Sequence, residues 1–507
     1  MRTNNVIRNI KSTAILYSIK LVLQFLVRIV FVNTLSVEYL GINGLFSNIL
    51  AVLSLTELGV GSAMVFNLYK PLAVSDSETV KSIMRLFKKA YICIGIVILT
   101  LGCVLVPWLD FFIKEKPDIP HIEWIYLLFV IDSSVSYFYS YKRSLLIADQ
   151  KQSIANFYQG ICQIVLGVLQ SFFLVITKSY WAFIILKVFS TIIENYMVAR
   201  KVDFIYPFLQ DKQVALLETS IKKTILRNVK ALFISKLGGI VIFSTTNIII
   251  SKLVGLAAVG IYSNYWLIIN AVHGILSKMF EALTSSIGNL AVLETEEKKT
   301  QIFKTLEFIT AWTACYITIG LFVLLNPLVK IWLGEQFLLS DEIVSILVLN
   351  FYLTYMRKPV QIYEDALGLF WAKRYMPIPE IIINLTIGIL ATQYLGLLGA
   401  LLGMTISTLL VPFWFEPYII LKNGISYTFK EYYLRYGLYT IATIAIALFT
   451  KYCYSLILSN RSGYDFILGI FLCTFLPNFI WLLLFYKTKE FNYVKIIIKK
   501  LMGKFCF

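Results

Sequence analysis

Charged and polar side chains recur at helical spacing inside stretches of sequence that are otherwise apolar. Lys20, Gln24 and Arg28 lie four residues apart in the apolar run 12–34, a spacing that places all three on one face of a helix. Cations on a lipid-facing surface are costly, so we expect this face to line a protein interior or a water-filled cavity. Lysine and arginine in such a place would bind an anion, and a phosphate group in particular, through charge-assisted hydrogen bonds.

Glu57 places a carboxylate inside a second apolar run, 42–66, with Gly59 and Gly61 directly after it. The glycines allow a bend or a close packing contact at this point. Two interpretations of the carboxylate stay open. It forms a structural ion pair with a cation of the first run, or it faces the same cavity and releases that cation during a functional cycle.

Further charges lie in later apolar runs, with a modest surplus of cations that suits a phosphate-bearing ligand. Lys278 and Glu281, three residues apart, favour a pair within one helix. His273 could exchange protons, although such a histidine more often bonds a neighbouring helix. Arg357 is interpreted as a charge that extends to the membrane interface. The candidate binding residues are Lys20, Gln24, Arg28, Glu57, Lys187, Lys236 and Lys278, and the candidate coupling or structural charges are Asp132, Glu194, His273 and Glu281.

The composition identifies the surroundings of these residues as a membrane. Of the 507 residues, 58% are hydrophobic and 15% are charged, whereas soluble domains carry roughly 25% charged residues. Apolar stretches of 18 or more residues recur from end to end, which is typical of an all-α polytopic membrane protein. Basic cytoplasmic loops explain the net charge of +17 better than nucleic acid does. Two histidines, and seven cysteines without close-pair spacing, predict neither a metal site nor another cofactor.

Fourteen transmembrane spans account for the apolar stretches. With the amino terminus in the cytoplasm, 33 of the 46 lysines and arginines fall in cytoplasmic segments and seven fall in external loops. This bias follows the positive-inside rule and places both termini in the cytoplasm. The predicted spans are 12–34, 42–66, 89–109, 121–141, 154–177, 180–199, 231–251, 258–286, 304–326, 343–364, 377–395, 397–420, 433–456 and 465–486.

An internal repeat relates the first span to the seventh. Residues 11–42 can be laid over residues 230–261 without a gap, and the match pairs Gly41 with Gly260. We therefore predict two parallel six-helix lobes, with helices 13–14 appended. The predicted domains are an N-lobe (1–200), a cytoplasmic linker (201–230), a C-lobe (231–421), and a segment with helices 13–14 and a basic cytoplasmic tail (422–507).

The stretch YLGINGLFSNILAVLSLTELGVGSAMVFNLYKPLA (39–73) resembles the opening hairpin of polysaccharide repeat-unit transporters of the Wzx type. LLIADQKQSI (145–154) and LGLFWAKRYMPIPEIIINL (367–385) resemble the same family more loosely. These proteins are lipid-linked oligosaccharide flippases of the multidrug/oligosaccharidyl-lipid/polysaccharide exporter superfamily. The resemblance covers nearly the whole chain and implies a fold of two six-helix lobes plus two further helices.

The resemblance also implies an activity and a site. The activity is transfer of an undecaprenyl-diphosphate-linked repeat unit from the cytoplasmic to the outer leaflet. The related peptidoglycan-precursor flippases use cavity arginines on the first helices and on helix eight, and Lys20, Arg28 and Lys278 are the counterparts by location. Lysine in place of arginine weakens the case for bidentate diphosphate binding at those positions.

The leading hypothesis is therefore a flippase that serves capsule or exopolysaccharide biosynthesis in the plasma membrane of a bacterium. One alternative is a multidrug or small-cation exporter of the same fold. A membrane polysaccharide polymerase is another, although the short external loops leave little room for catalytic machinery. We expect no enzyme activity and no nucleic-acid partner. The expected partners are the lipid-linked oligosaccharide, the bilayer, and the polymerase and glycosyltransferases of the same pathway.

Overall fold

The computed structural model describes residues 2–57, 59–115, 117–211, 217, 219–293, 295–367, 369, 372–423, 425–457 and 462–495. Within that part of the chain the backbone forms helices and the turns between them, and none of it forms a strand. The side chains of Lys236, Lys278 and Glu281 lie outside the described residues, as do those of residues 2–17. The roles predicted for Lys236, Lys278 and Glu281 from the sequence therefore stay predictions.

The described helices follow the predicted apolar runs, so the all-α fold is confirmed. In the first half of the chain they are α1 (Arg2–Thr34), α2 (Val37–Leu53), α3 (Val60–Ala73), α4 (Ser77–Leu105), α5 (Ile122–Ala148), α6 (Gln152–Thr177), α7 (Tyr180–Ile205) and α8 (Thr219–Leu253). In the second half they are α9 (Leu256–Leu293), α10 (Glu296–Leu333), α11 (Asp341–Met356), α12 (Lys358–Leu367), α13 (Pro377–Leu395), α14 (Leu397–Leu410), α15 (Pro412–Asn423), α16 (Phe429–Ile457) and α17 (Ser462–Phe485). Each predicted span falls on one of these helices or on two successive ones.

Eight described helical segments are long and apolar enough to cross a membrane, which makes the chain a multi-pass membrane protein. Two shorter apolar helices, Val37–Leu53 and Val241–Leu253, accompany them. The eight segments are Ser77–Phe112, Gln152–Thr177, Tyr180–Ile205, Glu296–Leu333, Pro377–Leu395, Leu397–Lys422, Phe429–Ile457 and Gly463–Phe485.

The second predicted span is broken rather than continuous. α2 ends at Leu53, a 3₁₀ turn follows over Ser54–Glu57, and α3 begins at Val60. Gly59, at the start of α3, has a φ of 84°, a left-handed conformation that is costly for residues with a Cβ. The glycine therefore makes the bend that the sequence allowed, and Glu57 lies at the break.

Proline explains two further breaks in predicted spans. The tenth span divides at Arg357, two residues before Pro359. The twelfth divides at Val411, directly before Pro412. Proline lacks the backbone N–H and disfavours a helical residue ahead of it, so one helix ends and the next begins.

Helices α4 and α5 reach further into the predicted cytoplasmic loops than the apolar pattern indicates. α4 begins at Ser77, where the Asp76 side chain caps it by accepting from the Thr79 N–H at 3.0 Å. α5 continues to Ala148, so Lys142 and Arg143 are helical residues rather than loop residues. Polar residues at the end of an amphipathic helix hide its boundary from a search for apolar runs.

The chain divides into two compact units, Met1–Gly260 and Ile261–Phe507. In the first unit α1 packs on α6, α5 packs on α4 and α7, and α8 packs on α2 and α3. In the second unit α13 packs on α14, and α10 packs on α11, α16 and α17. The boundary of these units differs from the predicted end of the linker, because α8 belongs to the first unit. The predicted lobes describe an internal symmetry and stay a prediction.

Two separate apolar cores hold the first unit together. The first, called the Phe46 core, includes Phe31, Ile42, Phe46, Tyr126, Phe129, Val130, Tyr180, Ile184 and Leu256. The second, called the Phe87 core, includes Val60, Met64, Leu68, Phe87, Tyr141, Leu145, Val198 and Val202. Four charged residues lie along α2–α3, α5 and α7 between the residues of the Phe46 core and those of the Phe87 core. We call these four residues the polar layer, and they are Glu57, Asp132, Lys187 and Glu194.

Two glycines bring α2 and the start of α9 into backbone contact within the first unit. A Cβ on Gly41 would lie 2.1 Å from the Leu256 carbonyl oxygen, and a Cβ on Gly260 would lie 2.4 Å from the Val37 carbonyl oxygen. The contacts are reciprocal, because in each case the glycine meets the carbonyl of the residue four positions before the other glycine. This pairing matches the alignment of the sequence repeat, so the repeat-related glycines pack through a local two-fold arrangement.

We expect Gly41→Ala and Gly260→Ala each to lower the melting temperature of the purified protein in detergent. The added methyl group would displace backbone, and overpacking of this kind costs about 1–3 kcal/mol. The double variant should lower the melting temperature by less than the sum of the two single decreases, because the first substitution already separates the helices.

The matched control for this prediction is Gly437→Ala in α16, where a Cβ has nothing within 4 Å. Alanine there should leave the melting temperature unchanged or raise it, since alanine favours helix over glycine by about 0.5–1 kcal/mol. The reciprocal contact would be contradicted if the decreases in melting temperature at Gly41 and Gly260 were fully additive. An equal decrease in the Gly437→Ala control would contradict it as well.

Candidate anion-binding site

The part of α1 around Leu23 has one face that packs on protein and one that is apolar and exposed. Leu23 contacts α6, where a Cβ on Gly167 would lie 2.5 Å from the Leu23 Cδ2. Val22 and Leu26 are 61% and 53% exposed. At about 100° of rotation per residue, both lie on the same flank of Leu23. This flank suits contact with lipid.

The predicted stripe of Lys20, Gln24 and Arg28 lies on the flank of α1 opposite to Val22 and Leu26. Gln24 is exposed, and Lys20 and Arg28 are half-buried. A flank with two cations is costly in lipid, because intramembrane charge needs water or a counter-charge. The helix α1 thus carries these three candidate residues, which we call the α1 stripe, on one flank.

An aromatic cluster closes one end of the α1 stripe. Phe31 lies on the same flank almost one turn after Arg28 and is only 2% exposed. Its ring centroid lies 5.1 Å from that of Phe183 and 6.0 Å from that of Tyr180, both in edge-to-face geometry. Tyr180 belongs to the Phe46 core. The polar surface of α1 therefore ends where this core begins.

Glu57 bonds a tyrosine of α4 in the polar layer. The Tyr91 hydroxyl donates to Glu57 Oε1 at 3.3 Å, and the Tyr91 ring stacks on that of Tyr137 with 6.3 Å between centroids. Gly61 makes room for this contact, because a Cβ there would lie 2.8 Å from the Tyr91 hydroxyl oxygen and 3.1 Å from Glu57 Oε1. The glycines after Glu57 thus have two functions: Gly59 bends the chain and Gly61 permits close packing.

Lys187, a candidate anion ligand, has an acidic partner in the polar layer. Its Nζ lies 3.4 Å from Asp132 Oδ2 and 4.4 Å from the ring centroid of Phe129. The Asp132 side chain is only 14% exposed, so the carboxylate offsets the lysine charge in a poorly hydrated place. The pair connects α5 to α7 and reduces the charge that Lys187 can offer to a ligand.

Two further ion pairs connect the same helices. Arg143 pairs with Glu194, which is a candidate coupling or structural charge. Lys142 Nζ donates to both oxygens of Asp203 at 2.7 and 2.6 Å. Together with Asp132 and Lys187, these residues form a row of three pairs along α5 and α7. The sequence did not indicate this row, because Lys142 and Arg143 follow the apolar part of α5.

In the second unit, Arg357 forms a buried bidentate ion pair. Its Nε and Nη2 donate to the Glu416 carboxylate at 2.8 and 2.6 Å, and the Glu416 side chain is 2% exposed. Gln361 also donates to Glu416, at 3.4 Å. The interpretation of Arg357 as an interface charge is wrong. Arg357 lies at the break between α11 and α12, where an interior carboxylate of α15 satisfies its guanidinium.

Other described charges of the second unit are also paired. Lys373 lies 2.7 Å from Glu364, whose side chain is fully buried. Arg435 lies 3.5 Å from Glu307 and 2.7 Å from Glu490. All of these pairs join different helices or a helix to the following turn. They explain why acids can occur in apolar segments without forming a binding site.

The remaining described candidate is His273, which belongs to the second unit. The ring of His273 lies 4.9 Å from that of Phe351, which is a packing contact. Among the described residues, no group of three or more histidine, cysteine, aspartate and glutamate side chains could hold a metal ion. Tyr91, Arg143 and Glu416 are partners that the sequence did not indicate. Only their position opposite a charged residue, which is a tertiary property, reveals them.

The described part of the chain is an all-helical multi-pass membrane fold, and its first helix carries Lys20, Gln24 and Arg28 on one flank. The chain belongs to the family of polysaccharide biosynthesis proteins, whose family model matches residues 30–342, more than half of the chain. No curated protein matches the chain. The resemblance noted in the sequence is therefore confirmed at the level of the family.

Solved structures show the fold. The lipid II flippase MurJ in an inward closed conformation has a TM-score of 0.65 and 13% identity, covering 94% of this chain and 98% of its own. An inward-facing multidrug resistance MATE transporter of the MOP superfamily has a TM-score of 0.63 and 14% identity, covering 80% and 94%. A MOP superfamily transporter from Pyrococcus furiosus has a TM-score of 0.56 and 14% identity, covering 82% and 96%. At these identities the likeness defines the fold and not the substrate.

We expect Glu416→Ala to destabilise the protein strongly, by about 3–5 kcal/mol, because it leaves the Arg357 guanidinium buried without its partner. Replacing both residues by apolar ones, Arg357→Met with Glu416→Leu, should restore most of the loss. Thermal unfolding in detergent measures both effects.

The exposed pair of Lys451 and Asp341, 2.8 Å apart, is the matched control. Lys451 holds the pKa of Asp341 below its usual value through their hydrogen bond. Because both side chains are well exposed, Lys451→Ala should change stability by no more than about 1 kcal/mol. Equal losses in Glu416→Ala and Lys451→Ala would show that the Arg357 pair is not a buried structural pair.

Proposed function

We propose that the protein is a flippase that moves undecaprenyl-diphosphate-linked oligosaccharide repeat units from the cytoplasmic to the outer leaflet of a bacterial plasma membrane. The α1 stripe is the observation that carries this proposal, since it presents two cations on one flank of a helix whose opposite flank is apolar and exposed. Membership of the polysaccharide biosynthesis family supports a sugar-bearing substrate. The product would supply capsule or exopolysaccharide assembly, together with the polymerase and glycosyltransferases of the same pathway.

The chemistry of the stripe suits a diphosphate. The Arg28 guanidinium can donate two parallel hydrogen bonds to one phosphate, and Lys20 can neutralise the second. Gln24 lies between them on the same flank and can bond a sugar hydroxyl or a phosphate ester oxygen. The exposed apolar flank of Val22 and Leu26 faces away from these groups, so the polyprenyl chain would stay in lipid while the head group leaves it.

The position of the Phe46 core at one end of the α1 stripe supports alternating access. The Phe46 core closes the α1 stripe at Phe31, and the packing of Gly41 against Leu256 lies in the same region of the first unit. A head group bound at Arg28 would need this region to open before release to the outer side. We propose that the two predicted lobes exchange between states open to either side, with both termini in the cytoplasm.

The paired charges serve a structural role in this proposal. Asp132 and Glu194 hold α5 to α7 through their partners, and Glu57 holds the break after α2 against Tyr91. Lys187 can add to the positive potential of the polar layer but is offset by Asp132. Lys236, Lys278 and Glu281 stay candidates from the sequence, and His273 is proposed as a packing residue.

A small-cation exporter of the same fold is the second candidate, supported by the likeness to multidrug transporters. The charge of the α1 stripe disfavours it, because two cations on one helix face repel a cationic substrate. A polymerase would need a reactive constellation, whereas Asp132, Glu194 and Glu416 are each held in an ion pair between helices. The anionic substrate is therefore the better fit.

We expect Arg28→Ala to reduce surface polysaccharide at least about tenfold in cells whose only copy of the gene carries the substitution. Loss of charge-assisted hydrogen bonds to phosphate costs about 1.5–3 kcal/mol, and 1.4 kcal/mol corresponds to tenfold. Arg28→Lys should retain part of the activity, since it keeps the charge and loses the bidentate geometry.

The control is Lys223→Ala, which removes an exposed cation of α8 outside the stripe and should leave polysaccharide export unchanged. Membrane protein levels are measured in every strain, so that loss of export is separated from loss of protein. Full export by both Arg28→Ala and Lys20→Ala would rule out the α1 stripe as the diphosphate site.

A further inference from the structure

The first unit contains a cavity of about 600 Å³ beside the beginning of α4, away from the α1 stripe. We call it the Arg85 pocket. Its charged lining consists of Lys81, Arg85 and Lys88 from α4, Lys142 from α5, and the carboxylates of Asp203 and Asp211. Cavities of roughly 300–1,000 Å³ hold small ligands, so this one is large enough for more than a simple ion.

Two of the four cations are already paired. Lys142 donates to both oxygens of Asp203 at 2.7 and 2.6 Å. Lys81 lies 2.6 Å from Glu78 and 3.3 Å from Asp211. Both lining carboxylates therefore have a lysine partner, and they leave little negative charge for the rest of the pocket.

Arg85 and Lys88 are exposed and have no ion pair within the described residues. They lie three positions apart on α4, so they share one face of the helix and repel each other. An anion between them would relieve that repulsion and bind both side chains. The lining carries two more cations than carboxylates, which favours an anion over a cation as the ligand.

We propose that the Arg85 pocket binds a phosphate-bearing anionic head group. The Arg85 guanidinium can hold a phosphate by two parallel hydrogen bonds, with Lys88 as a second charge. Met84 and Leu209 give the pocket an apolar wall, which suits the uncharged remainder of the ligand. This site is separate from the proposed transport site, because none of its lining residues belongs to the α1 stripe.

A membrane phospholipid and a soluble phosphate ester share this chemistry. The pocket lies in the first turns of a segment, Ser77–Phe112, that is apolar enough to span a membrane. Basic residues at such a membrane surface attract anionic lipid head groups. The experiment below separates the two sources.

The test is equilibrium binding by the purified full-length protein in neutral detergent micelles. The probes are fluorescent phosphatidylglycerol, a fluorescent diacylglycerol without phosphate, and sn-glycerol 3-phosphate as an unlabelled competitor. We expect saturable binding of phosphatidylglycerol and none of diacylglycerol. Arg85→Gln with Lys88→Gln should weaken the binding at least about tenfold, since each basic residue near the surface contributes roughly fivefold.

Two variants make the test specific. Lys222→Gln with Lys223→Gln removes two exposed lysines of α8 and should leave binding unchanged. Asp211→Asn should tighten binding, because it removes negative charge from the lining and releases Lys81 from one of its partners. Melting temperatures of all variants show whether the fold is intact.

The competition experiment identifies the kind of phosphate ligand, and the variants decide whether the Arg85 pocket is the binding site. Competition by millimolar sn-glycerol 3-phosphate would identify a soluble ligand, and lack of competition would identify a lipid head group. Equal weakening by the Arg85 and Lys222 double variants would overturn the proposal, since attraction to the basic surface as a whole would then explain binding. Absence of any phosphatidylglycerol or sn-glycerol 3-phosphate binding would overturn it as well.

Discussion

A charge inside an apolar layer must have either a counter-charge or water close to it, and the rest of the structure depends on how this requirement is met. In the polar layer of the first unit, Lys187 has Asp132 as its partner. In the second unit, Arg357 has Glu416. Because each cation in these pairs is offset by its carboxylate, it attracts an anionic ligand less strongly. The α1 stripe carries two cations on one flank, and this flank is exposed at Gln24, which suits water and an anionic ligand.

Breaks and close contacts of the backbone place these charges. Gly59 bends the second span and puts Glu57 at the break, and Pro359 and Pro412 interrupt the helices that carry Arg357 and Glu416. Broken helices are common where membrane transporters bind ligands, because they expose polar backbone and side chains at membrane depth. In this protein the breaks of the second unit are occupied by an ion pair, and the break of the first unit by a tyrosine hydrogen bond.

Much of the fold could be predicted from the amino-acid sequence because apolar length is a strong signal. Helical periodicity was also sufficient to assign Lys20, Gln24 and Arg28 to one flank of α1, which is helical over Arg2–Thr34. The ungapped repeat paired Gly41 with Gly260, which contact each other's helices in the first unit. Partners between helices could not be predicted in the same way. Tyr91, Arg143 and Glu416 are ordinary residues in their own segments, and only tertiary packing brings them to Glu57, Glu194 and Arg357.

The most direct test of the central claim is translocation by the purified protein in liposomes that contain undecaprenyl-diphosphate carrying a labelled oligosaccharide in one leaflet. A membrane-impermeant enzyme that releases the label measures arrival in the other leaflet. We expect the wild-type protein to accelerate arrival well above protein-free liposomes, and we expect that Arg28→Ala does not, although it is folded and inserted equally. Equal rates with the wild-type protein and without protein would contradict the proposed flippase activity.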